Sequence, residues 1–375
     1  MTVYQEDDRS ADDAARVPES AHWDPAVFRD GIESTLQHFV DDQSAWLADL
    51  GEDARRLVEH ARISVAGGKR FRASFCWWGH LALREPADPI EATALLRACA
   101  SLELLHASAL VHDDYMDASD VRRGRPATHR AFEALHREQG WKASAEQYGA
   151  AAAILLGDLL LSWSDEMLRT CGLPAERILD ALGYFDLTRT EVVTGQFLDV
   201  SAQARGTTDV AVAMQVVRYK SAKYSIERPL HIGAALAGAT PAVIEQLSGF
   251  GLPLGEAFQL RDDLLGVFGD PEVTGKPAGD DLVEGKRTVL IAYALEGLGA
   301  SDRERLDQSL GRPLTGAEVA ELRALITASG ADERVEQMIS SLTAQGLAAL
   351  DSAPVRDQAR TVLRDLAAAA TQRGF

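Results

Sequence analysis

The 375-residue chain carries 57 Asp and Glu against 38 Lys and Arg, a formal net charge of −19 that argues against nonspecific binding to nucleic acid. A hydrophobic share of 46% with 25% charged residues is the profile of a globular protein able to bury a large core. Cys76, Cys99 and Cys171 stand far apart with no metal-ligand spacing, which argues against a disulfide framework and points to a reducing cytoplasm.

Residues 1–22 are rich in Asp, Glu, Ser and Arg and are expected to form a disordered acidic leader, without the basic start and apolar stretch of a signal peptide. From Trp23 onward nearly every stretch has helical periodicity, so residues 23–375 are expected to form one all-α domain of ten or more helices. A helix beginning near Glu52 should stop at Gly67–Gly68, while Leu173-Pro174 and Thr240-Pro241 mark helix starts. The apolar run Gly149–Leu161 is broken by Asp158 and too short to span a bilayer, so no transmembrane segment is expected. Loops should be short except at Asp120–His129 and Asp270–Lys286, and each of these follows an Asp-Asp pair.

The first pair closes an apolar helix, Leu104 to Asp117, whose Asp113 and Asp117 share a face at a spacing of four. Asp114 adds a third negative charge beside them. A solvated helix end explains such clustering as readily as a Mg²⁺ site built of hard oxygen ligands does. The pattern then repeats: Phe258-Gln259-Leu260-Arg261-Asp262-Asp263 is again an apolar helix ending in two acids. Each pair is followed by cations, Arg122-Arg123-Gly124-Arg125 after the first, then Lys276 and Lys286-Arg287 after the second. Guanidinium forks and ammonium groups are the natural grip for phosphate oxygens. A further cluster, Gly67-Gly68-Lys69-Arg70-Phe71-Arg72, opens a helix whose N-terminus also favours an anion.

In order along the chain, GGKRFR (67–72), DDYMD (113–117), RRGRP (122–126), GQFLD (195–199), KSAKYS (220–225), FQLRDD (258–263) and GKP (275–277) resemble the trans-isoprenyl diphosphate synthases, the polyprenyl synthetase family. The resemblance implies an isoprenoid synthase fold, with helices around a deep central cavity, and prenyl transfer from an allylic diphosphate to isopentenyl diphosphate. It implies that Asp113, Asp117 and Asp262 ligate Mg²⁺, three ions per site, with Asp114 and Asp263 supporting. Arg122, Lys220, Gln259 and Lys276 fall where the family holds the allylic diphosphate. Lys69, Arg72, His106 and Arg123 fall where it holds isopentenyl diphosphate. Gln196, Lys220 and Ser221 match positions beside the reacting allylic carbon. A homodimer is implied as well, its interface near the apolar stretch Ala98–Val111.

The chain departs from the family pattern at three places: Gly266 replaces the fifth-position aspartate of the second motif, Asp280 stands where lysine is common, and Ala73 replaces a proline. Ser108 and Ala109, five and four residues before Asp113, are small, where short-chain members carry a bulky aromatic. With Leu105 one turn deeper, the expected product is the twenty-carbon geranylgeranyl diphosphate, farnesyl or longer products being the alternatives. A class I terpene cyclase or a non-catalytic synthase subunit are the competing readings. The absence of a Ser-His-Asp or Cys-His arrangement fits a reaction that needs no side-chain general base.

Overall fold

The structure is a computed structural model that describes residues 23–270 and 279–372; the expected leader and Lys276 lie outside the described residues. Several helices start where the sequence supplies a cap. Asp24 accepts a hydrogen bond from the Ala26 N–H and Pro25 opens helix α1 (Pro25–Leu47). Helix α2 (Glu52–Val65) stops before Gly67 as expected, and α3 (Phe71–Leu81) follows directly. Asp88 caps α4 (Pro89–Met116), the helix that carries the first acidic pair. Most of α4 is buried between α1, α3 and α6 (Ala145–Arg169). Ala98–Leu105, the first part of the stretch expected near a subunit interface, lies wholly inside the fold, while His106, Ala109 and Leu110 are partly exposed. By length and composition α4 is apolar enough to cross a membrane, a match that the sequence reading of Gly149–Leu161 overlooked. A helix apolar on every side is what the centre of a large helical bundle requires.

The segment after α4 corrects one expectation. Rather than a plain loop, Val121–Arg122 (β1) pairs antiparallel with Arg125–Pro126 (β2). Its two-residue turn, Arg123-Gly124, has positive φ at both positions, the backbone of a primed hairpin turn. Helix α5 (Thr128–Glu138) leads to α6 and then to the long α7 (Ala175–Arg205), which starts after Pro174. A short α8 (Val210–Val216) runs into eleven residues of π-helix, Val217–Glu227, and on into α9 (Arg228–Leu236). Wide π turns are uncommon and concentrate at functional sites. Here the π segment lies close against α7: a Cβ on Gly195 would sit 2.3 Å from the Lys220 nitrogen, so only glycine admits the approach.

Helix α10 (Pro241–Phe268) carries the second acidic pair. Beyond it come α11 (Asp280–Glu284), α12 (Val289–Gly297), α13 (Ala300–Ser309), α14 (Gly316–Ala328), α15 (Ala331–Ser352) and α16 (Asp357–Thr371). Two apolar clusters hold these helices together. The larger includes Phe28, Phe75, Trp77, Trp78, Phe185 and Phe250, and the smaller joins the second half of α10 to α12, α14 and α15. Each fully buried aromatic or aliphatic side chain contributes about 1.5–3 kcal/mol by removal from water. The acidic ends of α4 and α10 project from this frame.

Candidate active site

The first acidic pair divides its work between burial and charge. Asp114 is 3% exposed and receives the Nε of Arg122 at 2.8 Å, with the Nη2 also on its Oδ1. Asp114 therefore anchors Arg122, which leans toward Asp113 at 3.9 Å. Asp113 accepts from Gln196 Nε2 at 2.9 Å and lies 3.1 Å from Lys220 Nζ. Lys220 in turn reaches Asp199 at 2.6 Å, so α4, α7 and the π segment converge on one ammonium group. Burial pushes the Asp113 carboxyl up, but Lys220, Lys286 and Arg122 outweigh it and bring it down to about 2. Asp113 is thus ionised at any physiological pH.

Asp117 has the opposite environment. Its side chain is 3% exposed, and burial followed by the neighbouring charge of Asp113 raises its carboxyl to about 6. Among the described residues its buried Oδ2 has no hydrogen-bond partner, the nearest cation being Lys286 Nζ at 3.6 Å. An orphaned buried carboxylate oxygen beside a second acid fits a divalent cation, which would supply the missing contact. Among the described residues no three such groups converge on a point, so protein ligands alone do not complete a cage. Mg²⁺ suits that, because it takes one or two carboxylates and completes its shell with water and phosphate oxygens.

The second pair lies within the electrostatic reach of Lys286 and Asp281. From α10, Gln259 Nε2 donates to Asp263 Oδ1 at 2.7 Å, and burial with the charge of Asp281 raises Asp263 to about 8. Lys286 Nζ lies 3.4 Å from Asp281, 2.5 Å from Glu284 and 3.6 Å from Asp117. Burial works against its charge, but these carboxylates outweigh it and hold Lys286 protonated. Ser119 Oγ donates to Glu284 at 2.8 Å and ties the two lips together. One ammonium group thus bridges Asp117 of the first motif and the acids of α11, which brings the ends of α4 and α11 within a few ångströms. Asp262 lies at the end of α10 beside Asp263.

A cationic cluster adjoins the acids on the α3 side. His106 Nδ1 and the Tyr224 hydroxyl are 2.6 Å apart, and the Arg72 guanidinium lies 4.1 Å over the Tyr224 ring while bonding Ser225 Oγ at 2.9 Å. Burial, then Arg72, Arg123, Arg122 and Arg70, push His106 well down, so its imidazole is neutral. Arg123 donates to the Ala66 carbonyl at 2.6 Å and lies against Gly68, where an added Cβ would come within 3.1 Å of its Nη2. Burial and Arg70 lower the Arg123 pKa, the signature of guanidiniums gathered without enough counter-charge. Arg70 is spent on Glu33, Glu103 and the Val65 carbonyl.

The expected site residues therefore fall into three groups. Asp113, Asp114, Asp117, Arg122, Gln196 and Lys220 gather around the end of α4, with Ser221 half-buried beside Lys220 on the π segment. Arg72, His106 and Arg123 form the cationic cluster, and Lys69 lies exposed one residue before Arg70. Gln259, expected at the allylic diphosphate, donates its Nε2 to Asp263 one turn further along α10. Tyr224, Lys286 and Asp281 were not singled out as site residues. Tyr224 lies within KSAKYS, Lys286 among the cations after the second acidic pair, and Asp281 directly after the departure at Asp280.

The comparisons agree with this geometry. The polyprenyl synthetase family matches residues 55–327. The chain belongs to that family. It is 32% identical over 338 residues to geranylfarnesyl diphosphate synthase of Natronomonas pharaonis, spanning 85% of this chain and 91% of that one. It is 35% identical to geranylgeranyl diphosphate synthase of Methanosarcina mazei over 66% of this chain and 68% of that one. In fold it matches a geranylgeranyl pyrophosphate synthase of Corynebacterium glutamicum, solved with isoprenyl diphosphate and magnesium, at TM-score 0.91 and 42% identity. That match covers 94% of this chain and all of the other. The protein is a trans-prenyltransferase that elongates prenyl diphosphates in a Mg²⁺-dependent reaction, on the all-α fold of the family.

Proposed function

We propose that the protein joins isopentenyl diphosphate to an allylic diphosphate and stops at the twenty-carbon geranylgeranyl diphosphate. The observation that carries this reading is a carboxylate site and a cationic site side by side: Asp117, Asp281 and Glu284 around Lys286, and the arginines around His106. Arg122 belongs to both, anchored on Asp114 and acting on His106. Two diphosphates held apart by that guanidinium match a two-substrate condensation better than a cyclase, which needs one.

Asp113 and Asp117, with Asp262 from the other wall, would hold three Mg²⁺, with Asp114 and Asp263 in support. The ions would supply electrostatic stabilisation of the charge that develops on the leaving diphosphate. Arg122, Lys220 and Lys276 grip that diphosphate, and the Lys286 ammonium, already beside Asp117, joins them. Gln196 and Gln259 keep Asp113 and Asp263 in fixed orientations, so little reorganisation is needed at ionisation. Lys69, Arg72 and Arg123 hold isopentenyl diphosphate so that its double bond faces the allylic carbon, near Ser221. His106 is neutral and bonded to Tyr224, so it serves as a positioned donor or acceptor rather than a cation. The departing diphosphate takes the proton, and no side-chain base is required.

Product length follows from α4. Ala109 stands one turn before Asp113 and packs only partly against the core, and Ser108 beside it is small. Leu105, a further turn down, is buried and offers a floor. Residues 23–375 act as one domain in this reading. The active unit is a homodimer: Ile154 and Leu155 of α6 and Leu179, Val193 and Phe197 of α7 are exposed, Phe197 by 69%. Apolar side chains at such spacing on adjoining helices suit a second copy of the same face. All three cysteines are free and buried, as a reducing cytoplasm allows.

Chromatography of dephosphorylated products from dimethylallyl, geranyl and farnesyl starters tests the length. A dominant twenty-carbon alcohol is expected, and a dominant fifteen- or twenty-five-carbon alcohol would overturn it.

A further inference from the structure

The π segment that presents Lys220 and Ser221 is an uncommon backbone, and the groups around the acids do not account for it. It closes with the Arg228 N–H on the Lys223 carbonyl, a bond across five residues where an α-helix spans four. Pro229 comes next; it has no N–H, and its ring crowds the Ser225 carbonyl four residues back, which loosens α-helical winding there. The side chains of Lys223 and Arg228 meet on a single carboxylate of α7. Lys223 Nζ donates to Glu191 Oε1 at 2.7 Å, while Arg228 sends Nε to Oε2 at 2.7 Å and Nη2 to Oε1 at 2.8 Å. All three side chains are only 12–14% exposed, so salt screens the contact little. Burial works to raise the Glu191 carboxyl, but Arg228 and Lys223 outweigh it and lower it, which keeps the group ionised.

The spacing decides what this contact does. On an α-helix, positions five apart point about 140° away from each other, too far round for both to close on one carboxylate. In a π turn the same two positions are joined by the backbone bond and lie on one side. Glu191 also stands one turn before Gly195, against which the Lys220 backbone lies, so α7 touches the π segment at two levels. We infer that Glu191 is a positioning residue for the reaction: it holds Lys223 and Arg228 at π spacing and thereby keeps Lys220 and Ser221 turned into the site. Without that carboxylate the Arg228 N–H passes to the Tyr224 carbonyl, its α-helical partner, and the rewound turn swings Lys220 away from Asp113 and Asp199. Glu191 touches neither substrate in this scheme. The inference rests on the reading of Lys220 as a grip on the allylic diphosphate.

The test is a double-mutant cycle in kcat, measured on the full chain with geranyl diphosphate, isopentenyl diphosphate and Mg²⁺. Glu191→Gln keeps the shape and removes the charge, and Lys223→Met frees one of the two grips while Glu191 stays paired with Arg228. Each should lower kcat roughly tenfold or more, as small displacements of positioned groups do. Combined with Lys220→Met, neither loss should multiply with the loss from Lys220→Met alone, because an ammonium group already turned away cannot be removed a second time. Thermal midpoints identify a variant that fails to fold, and Lys223→Met carries the test if Glu191→Gln is that variant. Unchanged kcat for Glu191→Gln and Lys223→Met, or losses that multiply in the double variants, would overturn the inference. Full kcat for Lys220→Met would instead overturn the reading on which it rests.

Discussion

Lys286 stands in a position where a metal-free chain needs a cation, and removing it should expose how much repulsion the acids store. Its Nζ lies 2.5 Å from Glu284, 3.4 Å from Asp281 and 3.6 Å from Asp117, in a side chain only 17% exposed. Lys286→Met leaves these carboxylates facing one another with a thioether between them. Breaking a buried ion pair from one side costs about 3–5 kcal/mol. The lower end applies here, because Asp117, already raised to about 6, relieves part of the strain by binding a proton. For a chain of this size about 3 kcal/mol lowers the thermal midpoint by about 4 °C. The sign with pH follows from the same charges: unpaired carboxylates have raised pKa values, so the deficit is full at pH 8 and shrinks as pH falls toward 5. Circular dichroism melts in EDTA measure it, with Lys286→Arg as the control that keeps the charge. Mg²⁺ with inorganic pyrophosphate should restore part of the loss, since divalent cations then neutralise the same acids. An unchanged midpoint for Lys286→Met in EDTA at pH 8 would refute the electrostatic account.

Three further outcomes are expected. Ser108→Phe fills the space one turn below Asp113 and should shorten the product by one five-carbon unit, read by chromatography, whereas an unchanged spectrum counts against α4 as the tunnel wall. Tyr224→Phe removes the partner of His106 and should cost about 1 kcal/mol of transition-state binding, roughly fivefold in kcat/KM for isopentenyl diphosphate, with the allylic KM unchanged. Burial, then Arg84 and Arg228 respectively, hold His80 at about 4 and His231 at about 3, below the 6.5 of the unfolded chain. Their contribution is therefore complete above pH 6.5 and lost as pH falls below it, about 2 kcal/mol for each by pH 5. His80→Leu should flatten that acid limb by about half in denaturant titrations.

The helical class and most boundaries were legible in the sequence because they depend on local chemistry. Gly67 and Gly68 end α2, and Asp24, Asp88 and Pro241 sit at helix starts, whatever the rest of the chain does. The acids were legible too, since Asp113 and Asp117 share a helix face by spacing alone. What escaped depends on contacts between distant elements. The π segment owes its place to glycines on α7 and α10, whose absent side chains admit Lys220 and Ala222. The hairpin at Val121–Pro126 is two residues a strand, too short for an alternating pattern to show. Lys286 was visible as a cation after the second motif, yet nothing local says that it faces Asp117. Asp281 was one half of an acid pair, and only the folded chain brings it to Lys286. Apolar periodicity alone does not distinguish a core helix from a covered surface, so the burial of Ala98–Leu105 inside one chain was not legible in α4.

The central claim is that diphosphate release is coupled to joining two substrates. Pyrophosphate release by the purified chain with farnesyl diphosphate and Mg²⁺, measured with and without isopentenyl diphosphate, tests it most directly. Release that depends on isopentenyl diphosphate, one pyrophosphate for each five-carbon unit added, is the predicted result. Release at an undiminished rate without isopentenyl diphosphate, with a hydrocarbon as product, would contradict it.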